Sequence, residues 1–289
     1  MVEGGLVMKL SIITPTWNRC CTLNQTLCSI ESQQFQPYRH VIVDNLSEDQ
    51  TTDIIQRYAN RAKYEVIHIR ERDKGIYDAM NKGARISGGD AFYFLNDDDC
   101  LLDPRSLCLL VKCLALVPQG IVFGDALIKN TNTGSFRKRS HRQVNRLTLA
   151  EKSICQQATL YSRNALETVG LFDDKLKAAG DYDWMIRALV IKQLPAVYLR
   201  RMVAVFASGG ISSNPAYATE FRSEMNSVLH RYYSQSLCER AQRYRRFWRK
   251  LPWGLRLSPG SERSDRLDVM TRMVVGNSLL HDPLAILDF

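Results

Sequence analysis

Residues 91–99 read Ala91-Phe92-Tyr93-Phe94-Leu95-Asn96-Asp97-Asp98-Asp99. Five apolar residues run together and then stop on four polar ones. A run this short and this continuous reads as a strand buried on both faces. Adjacent carboxylates repel one another and are poor sheet residues, so the strand ends at its acids. The same grammar recurs upstream. Residues 9–14 (KLSIIT) stop at Pro15, residues 40–43 (HVIV) stop at Asp44-Asn45, and residues 64–69 give a third strand. Between these runs, apolar residues fall at helical spacing. Leu23, Leu27 and Ile30 do so within 22–33, and Ile76, Met80, Gly83 and Ala84 within 76–86. Ile54, Ile55 and Tyr58 lie on a helix that Ser47 can cap. Strand–helix alternation predicts an α/β fold with a mostly parallel sheet covered on both faces. Ligands of such sheets bind at the carboxyl ends of the strands, where Asp44 and residues 97–99 fall.

The second half is less regular. The pattern predicts a helix over 104–116, a strand over 120–123, a strand over 157–161, a helix over 181–190 and a strand over 196–206. Residues 129–146 are polar and basic, with a hairpin or mobile loop around Asn132-Thr133-Gly134. They form either a solvated loop or a lid that meets substrate phosphates, and His141 within them reads as exposed. The composition changes after about residue 220. Arg240, Arg243, Arg245, Arg246, Arg249 and Lys250 interleave with Tyr244, Phe247 and Trp248. The chain therefore divides into a domain over 1–221 and a C-terminal helical, basic amphipathic extension over 222–289. That extension is either an appendage with a solvated basic face or a helix lying on an anionic membrane surface. It carries no nucleic-acid recognition motif.

Composition narrows the class. With 289 residues, 45% hydrophobic and 24% charged, the chain can bury a proper core, which excludes a disordered or fibrous protein. Its formal charge of +9 asks for an acidic partner. No run of about 18 apolar residues is present, so no membrane-spanning helix is expected. The N-terminus lacks the basic stretch of a signal peptide. Eight cysteines form no C-x-x-C pair and read as reduced thiols rather than zinc ligands.

Each acidic site has two readings when taken alone. Asp97, Asp98 and Asp99 make either a solvated turn, with Asp103 or Ser106 capping the next helix, or a Mg²⁺ or Mn²⁺ site. Asp44 is an Asx-turn residue or lines a pocket. Asp181 and Asp183, two apart on a helix, point to different faces. One caps the helix or pairs with Arg187, and the other faces the cleft.

Together and in order, these pieces resemble family-2 glycosyltransferases with the GT-A fold. The stretch SIITPTWNR (11–19) resembles their opening strand and loop, and VIVDNLSED (41–49) their second strand and its nucleotide-base loop. The closest match is DKGIYDAMNKG (73–83), similar to the branch that builds cell-surface polysaccharides. FLNDDD (94–99) looks like the D-x-D-type metal motif, and GLFD (170–173) with GDYDW (180–184) like the acceptor-side segment that carries the base.

The resemblance, covering roughly residues 9–215, implies a Rossmann-like central sheet and a nucleotide-diphosphate sugar donor, a UDP-sugar being the commoner case. It implies that Thr14, Pro15 and Thr16 line the nucleotide pocket and that Asp44 accepts from the base. Asp73 and Asn81 bracket the nucleotide, Asp98 sits near the ribose, and Asp97 stands where a small polar residue is usual. Asp99 binds Mg²⁺ or Mn²⁺, and Asp181 is the general base of an inverting transfer. In the family an acid often precedes the base, whereas here Gly180 does. The Q-x-x-R-W segment of processive synthases is missing, which implies transfer of a single sugar. The acceptor implied is a saccharide or lipid-linked saccharide, and the location is cytoplasmic or peripheral on the cytoplasmic face of the inner membrane. A nucleotide-sugar-binding protein without catalysis and a sugar-phosphate nucleotidylyltransferase are the alternatives. The latter's Gly-rich basic signature is not found near the N-terminus.

Overall fold

The structure is a computed structural model and describes residues 8–141, 144–208, 218–250, 271–275 and 278–279. The first half alternates as expected: β1 (Leu10–Thr16), α1 (Leu23–Glu31), β2 (Arg39–Asp44), α2 (Thr51–Arg61), β3 (Glu65–Arg70), α3 (Ile76–Ser87) and β4 (Ala91–Phe94). Then follow β5 (Cys100–Leu101), α4 (Ser106–Leu114), β6 (Ile121–Asn130), β7 (Phe136–Arg139), α5 (Arg146–Glu151), β8 (Thr159–Ser162), α6 (Arg163–Val169) and α7 (Gly180–Ile186). The chain continues through β9 (Ala196–Ser208), α8 (Ala218–Tyr232), α9 (Gln235–Lys250), β10 (Thr271–Val275) and β11 (Ser278–Leu279).

One sheet runs in the order β11-β10-β9-β6-β8-β4-β1-β2-β3. It is parallel from β4 through β1 and β2 to β3. β8 enters antiparallel to both β4 and β6, and β9 returns parallel to β6. Register aligns the parallel strand ends: Thr16 pairs with Asp44, and Asp44 with Arg70. Side chains of β1 alternate between two cores, as the pleat requires. Leu10 and Ile12 pack with Tyr93, Leu110 and Leu160, whereas Ile13 packs with Met80, Phe94 and Trp184. Gly83 lets α3 approach closely, since a Cβ there would stand 2.5 Å from Ile13 Cγ2.

Two expectations need correcting. Ser47 does not cap α2, which starts at Thr51 with no side-chain cap. Its groups are used inside the loop instead: its N–H donates to Asp44 and its Oγ accepts from the Asn18 N–H. β6 runs to Asn130 rather than stopping at Phe123, because a hairpin partner and β9 supply its hydrogen bonds where its sequence turns polar. The division at 221/222 falls inside α8, which packs on α7. The amphipathic reading of α9 rests largely on side chains after Arg243, which lie outside the described residues, as do Trp253 and Leu255. No helix among the described residues is long and apolar enough to cross a membrane.

Candidate active site

The loops after β1, β2, β3 and β4 gather at one edge of the sheet. Asp44 ends β2 fully buried. Its Oδ1 accepts from the Ser47 N–H at 2.8 Å, and its Oδ2 lies 3.5 Å from His68 Nε2 and 3.7 Å from Arg70 Nε. Burial alone would raise its pKa, but the hydrogen bonds from His68 and Ser47 outweigh it and hold the carboxyl below its ordinary range. Asn45 Oδ1 accepts the Asp73 N–H at 2.9 Å, tying this loop to the next. Asp73 in turn accepts from the Gly75 N–H at 2.9 Å, and Gly75 has φ 141°, a backbone few other residues adopt. Thr14 turns away from the edge, its Oγ1 pairing with His40 at 2.9 Å inside the core, and Pro15 and Thr16 are buried beside it.

The acid cluster follows β4. Asp97 is nearly buried, with Arg19 at 3.6 Å. Burial and the charge of Asp98 push it up to about 7, against Thr16 and Arg19. Burial likewise raises Asp98, opposed by Arg19. Asp99 is fully buried, and burial with the charges of Asp98 and Asp97 drives it well above the carboxylate range. Its Oδ1 accepts from the Ala207 N–H of β9 at 2.8 Å, while its Oδ2 is buried and finds no partner among the described residues. No group of three or more His, Cys, Asp or Glu among the described residues has metal-holding geometry. An ion bound chiefly through substrate phosphates needs only one or two carboxylates. Mutually repelling acids with an orphaned oxygen fit that arrangement.

Asp181 opens α7 and is half-buried. Its Oδ1 accepts from the Tyr77 hydroxyl at 3.1 Å and from the Tyr182 N–H at 2.8 Å. Burial raises it, while Arg139, the Tyr182 N–H and the Tyr77 hydroxyl oppose. Asp183 faces the other way, binding Arg187 at 2.7 Å, Arg231 at 3.1 Å and the Tyr232 hydroxyl at 2.8 Å. The two acids thus divide as their spacing predicts. Burial lifts the Cys155 thiol to about 11.

The Asn81 amide donates to the Phe172 carbonyl at 2.9 Å and accepts from the Phe172 N–H at 3.0 Å, joining α3 to the loop before α7. Sequence reasoning missed Arg19, Tyr77 and Arg139 as neighbours of the acids. Only Arg19 carried a local signal, lying in the loop after β1. His141, expected to be exposed, is buried.

The Glycosyl transferase family 2 profile matches residues 11–170. A PGL/p-HBAD biosynthesis glycosyltransferase of Mycobacterium bovis is 32% identical over 73% of this chain and 81% of its own length. Glycosyltransferase AglE of Haloferax volcanii is 26% identical over 62% of this chain and 60% of its own length. Among solved structures, a mannosyltransferase from Pyrobaculum calidifontis in complex with GDP-Man and Mn²⁺ superposes with a TM-score of 0.62 at 19% identity, covering 82% of this chain and 69% of that one. Staphylococcus aureus TarS in complex with UDP-GlcNAc gives 0.59 at 20% identity, covering 76% and 65%.

Proposed function

The chain belongs to glycosyl transferase family 2 and has the GT-A fold, and on that footing we propose that it moves one sugar from a nucleotide-diphosphate sugar, with inversion, to an acceptor hydroxyl. The observation that carries this reading is the placement of Asp181 and Asp99. Asp181 offers a half-buried carboxylate whose pKa burial raises, at the start of α7, and Asp99 a buried, half-paired one after β4. Asp181 takes the proton of the acceptor hydroxyl as that oxygen attacks the anomeric carbon. The new C–O bond forms as the bond to the diphosphate breaks, and the nucleoside diphosphate leaves with the bonding pair. One displacement inverts the anomeric centre. Asp44, Asp73 and Asp98, with the backbone of residues 14–16, hold the nucleoside. Asp99 would hold Mg²⁺ or Mn²⁺, which supplies charge neutralisation for the leaving diphosphate. The acceptor is a saccharide or lipid-linked saccharide. The arginines of α9 and the net charge of +9 support work at an anionic membrane surface.

The test is nucleoside-diphosphate release from UDP-, GDP- and dTDP-sugars, with and without Mn²⁺. Metal-dependent release from one nucleotide class is expected. The absence of both binding and release with every donor would overturn the proposal.

A further inference from the structure

The chain from Arg139 to Ser153 gathers positive charge around groups that lack partners. Arg139 closes β7, and one of its Nη atoms donates to the Ser153 carbonyl at 2.8 Å. Its Nε is buried and unpaired among the described residues, and so is Nε2 of His141. The Lys152 ammonium donates to the Ser140 carbonyl at 3.2 Å. These groups crowd one another. Desolvation, Arg139 and Arg137 bring Lys152 down to about 8, and burial with Lys152 and Arg139 holds His141 neutral, at about 3.

Asp125 and Asp181 are both engaged elsewhere. Asp125 is taken by Lys138 at 2.7 Å and by the Tyr198 hydroxyl at 2.6 Å. Asp181, which the charge of Arg139 reaches, is taken by Tyr77 and Tyr182. A buried cationic group with an unused N–H is costly unless an anion completes it. A guanidinium suits a phosphate best, because its donors are fixed in a planar fork.

We propose that Arg139 and Lys152 form a phosphate subsite at the end of β7. The group it takes is either the donor's diphosphate or a phosphate on the acceptor. That choice of substrates rests on the transfer reaction proposed above, but the anion site itself does not.

The full chain is titrated with inorganic phosphate by calorimetry in EDTA, with and without saturating UDP. Wild type is compared with Arg139→Gln and Lys152→Gln, and thermal unfolding checks the fold of each. Phosphate should bind wild type and bind each variant roughly tenfold more weakly, the loss of one charged hydrogen bond. Binding that persists with UDP present assigns the subsite to the acceptor. Displacement by UDP, with Arg139→Gln weakening UDP but not uridine, assigns it to the donor. No phosphate uptake by wild type, or equal uptake by all three proteins, overturns the proposal. Should Arg139→Gln fail to fold, the exposed Lys152 decides alone. Phosphate binding with neither binding nor release of any sugar donor would keep the subsite and remove the transferase reading. Transfer activity with no phosphate effect would do the reverse.

Discussion

The Tyr77 hydroxyl donates to Oδ1 of Asp181 at 3.1 Å, joining the first turn of α3 to the first turn of α7 across 104 residues. The bond lowers the pKa of a carboxyl that burial raises, so under the proposed mechanism it governs how much of the base is ready to accept a proton. Asp181→Asn is expected to cut kcat by at least ~10²-fold while leaving donor affinity nearly unchanged. Tyr77→Phe removes only the hydrogen bond and should lower kcat by about fivefold, or ~1 kcal/mol. The sign in pH follows. The base works deprotonated, so activity falls as pH drops through its raised pKa. Losing a bond that lowers this pKa moves the acid limb to higher pH. A kcat–pH profile of Tyr77→Phe that overlays the wild type would exclude the link.

The same tyrosine holds position 180 to glycine. A Cβ at Gly180 would lie 2.7–2.9 Å from three atoms of the Tyr77 ring. Gly180→Ala must push that buried ring aside and should cost about 1–3 kcal/mol by overpacking, read by urea denaturation. Its kcat should fall at least as far as that of Tyr77→Phe, since the ring carries the hydroxyl. A Gly180→Ala enzyme with unchanged stability and kcat would sink the steric account.

Glu224 of α8 holds the approach to α7. Its two carboxylate oxygens accept the N–H groups of Lys177, Ala178 and Ala179, each at 2.7 Å. Glu224→Ala strands three donors and should cost roughly 2–3 kcal/mol. It should also lower kcat with little change in donor KM, because the base rather than the nucleotide pocket is loosened. The same logic predicts that a chain ending near Arg222 loses activity. Full activity in that truncated chain would show that α8 is dispensable to the site.

These dependencies mark how far the sequence could be read. β1, β2 and β4 are legible because parallel strands covered on both faces are written as largely apolar runs, with Ile12, Val41 and Phe94 fully buried. The acids at the strand ends are legible for the same reason, since nothing else interrupts such runs. The far half of β6 is not, because Ile128 and Lys129 are only half-buried and pair with Phe206 and Ala207 far along the chain. Asn81 sits in a matching motif, yet its partner Phe172 is 91 residues away, and no local pattern separates a clamp from a ligand. Tyr77 and Arg139 escape notice likewise, because what they do is set by where α7 and β7 fold back.

His40 makes stability depend on pH. It is fully buried between Tyr58 Oη at 2.8 Å and Thr14 Oγ1 at 2.9 Å, and burial depresses its pKa from 6.5 to about 3. Below about 6.5 the unfolded chain binds a proton that the folded chain refuses until about 3. The unfolded state therefore gains, and stability falls as pH is lowered through that window, by up to about 1.4 kcal/mol per unit. Between about pH 6.5 and 5 this residue alone should account for about 2 kcal/mol. His40→Gln should be less stable at about pH 7.5 but should lose less on acidification. Parallel pH–stability curves for the two proteins would exclude His40 as the titrating group.

Asp99 is the acid whose removal should separate binding from proton transfer. Its Oδ1 is anchored to β9 through Ala207, so its unpaired Oδ2 is held in place rather than free to swing. Asp99→Ala should weaken both metal activation and donor affinity, whereas Asp181→Asn should spare both. Asp99→Asn keeps the bond to Ala207 through its amide oxygen and loses only the charge. It should therefore fold like the wild type while its metal requirement rises at least tenfold, the loss of one charged ligand being worth ~1.4 kcal/mol or more. The check is Mn²⁺ titration of nucleoside-diphosphate release alongside thermal unfolding. Unchanged metal activation in a folded Asp99→Asn enzyme would move the ion elsewhere, with Asp97 and Asp98 the next residues to substitute.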